Sequence, residues 1–179
     1  MSGARIQVTL DDAAYQQALT ALGGALNHGR IMRPIGVALV EEVQQRFDRG
    51  VDVWGVRWQA LHPAYALIKR GPGILRASQM LQRSITYQTA GNRVDVGSNR
   101  IYAAVHQFGA TIKPVRAKAL AFHLGGVSVG PRGGKKTGSV LVKAKSVTIP
   151  ARPYLGFGPN DQRAVMGVLT REIARIAGS

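Results

Sequence analysis

Cysteine is absent from the 179 residues. That excludes disulfides, thiolate zinc sites and cysteine nucleophiles, and it fits a reducing compartment. Apolar runs are short: no stretch of about 18 apolar residues occurs, and the N-terminus "MSGARIQVTL" has no apolar signal core. A soluble protein that meets no membrane and carries no export signal is the expectation. Acid is scarce too, with 9 Asp and Glu against 24 Lys and Arg.

The scarcity is localised. Residues 96–160 contain no carboxylate and ten basic residues, including Arg132, Lys135, Lys136, Lys143 and Lys145. A surface built from this window must project a positive field. It serves either as a solvated loop that keeps the chain in solution or as a face for a polyanion, nucleic acid or acidic protein.

Histidine is rare, at four residues, and catalytic patterns fail one by one. His28, His62, His106 and His123 are never spaced i,i+4, so no metal-binding helix is indicated. The adjacent carboxylates Asp11-Asp12 and Glu41-Glu42 point to different helix faces, which suits capping and solvation better than acid–base work. No GxSxG elbow is present. "GPRGGKKTGS" resembles a phosphate-binding loop, but Lys136-Thr137 follows Lys135 where that loop needs glycine. No enzyme, cofactor or metal is expected.

What is present reads as one α+β domain over residues 1–179, without repeats. The expected fold is a mixed, mainly antiparallel sheet flanked by helices, with a long basic hairpin and a C-terminal helix. "RIQVTL" alternates as a half-buried strand. Asp11 caps a helix whose apolar stripe is Tyr15, Leu19, Leu22 and Leu26. Pro34 suits the first turn of the next helix. Ile35, Leu39, Val43 and Phe47 follow at steps of four, and Gly50 ends the helix. "VDVWGVRWQALHPAY" breaks periodicity and is expected as a loop whose tryptophans either pack back or mark a contact. A third helix is predicted from Ile74 to about Ser84. A hairpin then joins "SITYQT" to "RVDVGS" through Ala90-Gly91-Asn92.

"IYAAVHQFG" is expected as a short helix with Tyr102, Val105 or His106, and Phe108 facing a core, and Gly109 ending it. His106 is read as a packed or interface histidine with hydrogen bonds, not a base. Residues 110–150 read as strand, glycine-rich loop and strand, "LAFHL", "GGVSVGPRGGKKTGS" and "VLVKAKSVTI", with much of the loop expected to be mobile and 110–148 forming the basic hairpin or loop. In "IPARPYLGF", Pro150 and Pro153 forbid a helix, which makes it a rigid arm. It delivers Tyr154, Leu155 and Phe157 into the core, the preferred destination, or into a neighbour's groove. The final helix, 160–177, places Val165, Leu169, Ile173 and Ile176 on one side, with Gly178 as its cap.

Several patches together resemble the tail-completion and virion-morphogenesis proteins of tailed bacteriophages and Mu-like prophages. They are "RWQALHPAYALIKR", "MLQRSITY", "VDVGSNRIYAAVHQFGATI" and "TIPARPYLGF". The last two carry most of the likeness through Tyr102, His106, Gln107, Phe108 and Gly109, then Pro150, Arg152, Pro153, Tyr154, Leu155 and Gly156. The likeness spans roughly residues 30 to 177. It departs at Gln79-Met80, where a small-residue turn is expected, and in the length of 110–148. The resemblance implies a structural protein of the virion, assembled in the host cytoplasm. Its place would be a hexameric ring that ends the tail tube and joins it to the head connector or stopper, with genomic DNA passing through the lumen. Neck or head completion is the near alternative, and a non-specific DNA-binding protein is the alternative from another class. In either the ring or the DNA-binding reading, the basic residues would face DNA or an acidic partner.

Overall fold

The computed structural model describes residues 4–9, 28–69, 71–129 and 135–177. The expected N-terminal helix, with Asp11, Tyr15, Leu19, Leu22 and Leu26, lies outside them, as do Arg132 and Gly178.

The central element is a long helix, α1 (His28–Arg49). Ile31, Met32, Ile35, Leu39, Val43 and Phe47 recur at steps of one, three and four, and all are buried. Gly50, at φ 67°, ends the helix and donates its N–H to Arg46 O at 2.8 Å, as expected. Pro34 does not open the helix; it sits inside it. The bond that its missing N–H would make to Arg30 is lost, and the burial of Ile31 and Met32 on the preceding turn offsets that loss.

One side of α1 packs on a three-stranded antiparallel sheet ordered β1 (Ala4–Thr9), β3 (Arg93–Ser98), β2 (Thr86–Ala90). Val94 and Val96 of the central strand are buried with the helix side chains in one core. The β2–β3 hairpin turns at Gly91, as its sequence predicts. The C-terminal helix, α5 (Pro159–Ala177), also packs against α1 and buries Val165, Val168 and Leu169. Ile173, expected on the same side, is 36% exposed.

Two short helices lie between. α2 (Pro63–Ile68) forms where only loop is expected. α3 (Met80–Arg83) is one turn, not the helix predicted from Ile74. Leu75 and Gln79 take positive φ, 61° and 57°, which no helix admits. Arg76 instead ties this loop to Asp48 of α1 at 3.0 Å. Leu81 and Ile85 are nevertheless buried, as their spacing implies.

The later half holds α4 (Ala103–Phe108), a two-stranded pair of β4 (Ala110–Ile112) with β7 (Val147–Ile149), and a ribbon of β5 (Leu120–Val129) with β6 (Lys135–Ala144). The α+β class with antiparallel strands and a terminal helix is therefore found, but the sheet comes in three pieces. The predicted glycine-rich loop is mostly paired strand: Gly125 faces Ser139 and Gly126 faces Gly138. "VLVKAKSVTI" is likewise split at Lys145-Ser146 between the ribbon and β7.

Candidate functional site: an anchored arm and a basic ribbon

The arm from Pro150 to Gly158 enters the interior of its own chain. Its prolines keep it extended, so its backbone N–H and C=O groups have no ladder and must find side-chain partners. Gln107 provides three bonds. Its Oε1 accepts from Tyr154 N and Leu155 N, each at 3.0 Å, and its Nε2 donates to Leu155 O at 2.8 Å. Trp58 Nε1 donates to Pro153 O at 3.0 Å, and Tyr154 Oη donates to Ala103 O at 3.0 Å. The Tyr154 ring meets Phe47 at 4.9 Å, and Trp58 meets Phe47 edge-on at 5.6 Å. Burial, then nearby Tyr102, pushes the Tyr154 phenol well above its ordinary range.

Behind the arm lies a charged clamp. Arg46 of α1 donates from Nη2 to Asp161 of α5 and from Nη1 to Tyr154 O at 3.1 Å. Asp161 Oδ2 also accepts from Gly158 N at 2.8 Å, so one carboxylate caps the last helix and neutralises the arginine. The arm thus delivers Tyr154 and Leu155 to the core, while Phe157 remains 39% exposed.

α4 faces the arm differently from its predicted orientation. Ala103 and Gln107 point inward; Phe108 is 73% exposed and Tyr102 36%. The inner face meets polar backbone, which an amide can satisfy and a phenyl ring cannot. His106 is half-buried, its ring edge-on to Tyr102 at 5.9 Å. Its carbonyl accepts from Arg152 N at 2.8 Å. The ring does not form the expected hydrogen bond at Nδ1, which is buried and has no partner among the described residues. Burial, then the charge of Arg152, lowers its pKa. Gly109, at φ 73°, ends α4 so close to the arm that a Cβ would lie 2.8 Å from Ala151 N. Gly156 is equally confined, since a Cβ there would meet Val53 Cγ1 at 2.5 Å.

The basic residues gather elsewhere. Lys135 and Lys136 open β6, opposite Val129 and Ser128 at the far end of the ribbon. Lys143 and Lys145 are exposed near its base, and Lys113, Arg116 and Lys118 are exposed on the segment leading in. Among the described residues the ribbon's two strands pair only with each other. Among those residues no His, Asp and Glu cluster of three could hold a metal, and no helix is long and apolar enough to cross a membrane.

Arg46 and Asp161 escape sequence reasoning. Their one signal is that Asp161 is the first carboxylate after the acid-free window, at the start of a helix where a cap is due.

The YAAVHQFG helix, locked to the IPARPYLG arm ahead of a terminal helix, is the part of the chain that carries most of the likeness to phage virion morphogenesis proteins. The profile of the phage virion morphogenesis family matches residues 10–174, and the chain belongs to that family. Among its relatives, "Putative capsid assembly protein G" of Escherichia phage Mu is 25% identical over 175 residues, covering 94% of each chain. Mu-like prophage FluMu G protein 2 of Haemophilus influenzae is 27% identical over 164 residues, covering 90% of this chain and 91% of the relative. FluMu G protein 1 of the same organism is 20% identical over 177 residues, covering 96% and 97%. No solved structure matches significantly.

Proposed function

We propose that this virion morphogenesis protein is a tail terminator, or completion protein. Six copies ring the head-proximal end of the tail tube, join it to the head connector and leave a passage for the genome. The observation that carries this reading is the acid-free ribbon on a clamped body. A two-stranded ribbon is marginal alone in water, and this one carries lysines at its tip and base with no carboxylate between residues 96 and 160. It suits a surface that completes itself against a polyanionic partner in an assembly. A closed ring needs head-to-tail contacts between copies, and a firmly held body gives such contacts a fixed shape. Family membership supports a structural role over a catalytic one.

A second reading, head or neck completion, is favoured by the phage Mu relative, whose name places it in capsid assembly. A null mutant separates the two. Under the tail-completion reading, lysates contain filled heads and unattached tails, with tails of irregular length. Heads empty of DNA would favour the earlier head role, and normal joined particles would exclude both.

A further inference from the structure

Of the two tryptophans in the irregular stretch after α1, Trp58 is buried in the core and Trp54 is 68% exposed. The exposed one sits on a well-held turn. Asp52 Oδ1 accepts from Trp54 N at 2.8 Å and from Val56 N at 2.9 Å, and Asp52 N donates to Val56 O at 2.9 Å. Val51 bridges Arg57, and Gly55 takes φ 83° within the turn. Val53 abuts the arm so closely that a Cβ at Gly158 would lie 2.4 Å from Val53 O. Gly158 N is itself held by Asp161 of the clamp. Trp54 and the exposed Val56 therefore stand out from the body as a preformed knob. Tryptophan is a frequent anchor of protein contacts, and a turn ordered beforehand loses little entropy on docking.

The opposite end of α1 carries a receptacle. α5 runs antiparallel to α1: Arg46 meets Asp161, whereas Val37 and Ala38 share an open groove with Val168. Val37 is 53% exposed there. The groove measures about 410 Å³, and clefts that hold small ligands run to about 300–1,000 Å³. One indole fits that scale. Arg33, Glu41 and Arg171 supply the charges of its lining. A guanidinium lies well against an indole face. The knob brings one carboxylate, Asp52, and one exposed guanidinium, Arg57, to a site with two guanidiniums and one carboxylate. Other exposed apolar side chains suit it less. Ile101, Tyr102, Phe108 and Val115 lie in the window without carboxylates and would bring like charge to Arg33 and Arg171.

Knob and groove cannot meet within one chain. From Val37 to the end of α1 at Arg49 the helix runs about 18 Å, at about 1.5 Å per residue, and the turn lies beyond that end. Between copies the two make a head-to-tail contact, the kind a closed ring requires. We propose that Trp54 of one copy docks in the α1–α5 groove of the next, so that a second copy of this chain is the groove's occupant. This deepens the ring reading and rests on it.

Because the chain has no cysteine, single-cysteine variants report the contact cleanly. Val37→Cys and Val56→Cys change exposed residues and leave Trp54 in place. The two variants are mixed and treated with a short bis-maleimide, both as purified proteins and in particles from a null mutant supplied with both. They should cross-link to each other and not to themselves. Adding Trp54→Ala to the Val56→Cys protein should lower the mixed product by about ten-fold or more. Cross-links within one variant alone would show a two-fold contact and overturn the proposal. So would a Val37→Cys thiol shielded from maleimide by residues 10–27 of its own chain, or a mixed product indifferent to Trp54→Ala. Particles that hold a six-fold ring but give no mixed product would overturn the proposal and leave the ring reading standing. A mixed product that depends on Trp54, from a protein absent from the tail, would support the contact and sink the ring reading.

Discussion

Arg46 and Asp161, 115 residues apart in the chain, form a buried ion pair that ties the long helix to the first turn of the last one. The same two side chains hold the backbone of the arm at Tyr154 and Gly158. A pair so enclosed is worth little relative to an apolar substitute but costs much when one member is removed.

Asp161→Asn keeps the shape and removes the charge, leaving Arg46 buried and uncompensated. It should destabilise the protein by roughly 3–5 kcal/mol. Urea titrations of Asp161→Asn, Arg46→Met and the double variant check this; the double variant should lose much less than the sum of the singles. Additive losses would mean that the residues act independently.

Gln107 makes three bonds to the arm from one buried amide. Gln107→Leu fills the same space and strands Tyr154 N, Leu155 N and Leu155 O, for a loss of roughly 3–9 kcal/mol at about 1–3 kcal/mol per buried group. Hydrogen exchange at the Tyr154 and Leu155 amides should accelerate before the core of α1 does. Unchanged protection at these two amides would show that water replaces the side chain.

The long helix was legible from Ile35, Leu39, Val43 and Phe47, because burial on one helix face leaves a period in the sequence. The β2–β3 hairpin and the Gly50 stop were legible for equally local reasons. The arm's anchorage was only half legible. Two prolines and a tyrosine announce a rigid segment, but not that Gln107, 47 residues earlier, would satisfy its amides. Phe108 looked like core because it is apolar, yet the inward face of α4 meets backbone polar groups, and there the amide wins. Leu75 and Gln79 defeated the predicted third helix because positive φ at non-glycine residues is imposed by tertiary contacts.

Burial of His106 should make the fold sensitive to acid. Its pKa is lowered from 6.5 by burial first and then by Arg152. As pH falls below about 6.5, the unfolded chain therefore binds a proton that the folded chain resists, and stability declines until the folded value is passed. Urea midpoints should drop between pH 7.5 and pH 5.5, and the drop should be smaller in His106→Asn. It should also shrink in Arg152→Met, which removes the second cause. Equal drops in all three proteins would assign the acid sensitivity to other groups.

The ribbon lysines separate two uses of positive charge. Replacing Arg132, Lys135 and Lys136 with Ser should leave heads and tails joined but impair genome retention or ejection, if the ribbon faces the lumen. Contacts there would be indifferent to sequence and weakened by salt. Free tails in the lysate would instead place the ribbon against an acidic tube or connector surface, where charge steers docking. Infectious particles at normal yield would reduce the window to a solvated loop.

A reconstruction of the intact virion tests the central claim most directly. The tail-completion account predicts six copies in a closed ring between the last tube layer and the head connector, with the ribbons of residues 120–144 converging on the passage or on the adjoining ring. Finding the protein absent from the finished particle, or within the capsid shell instead of at the tail, would contradict it.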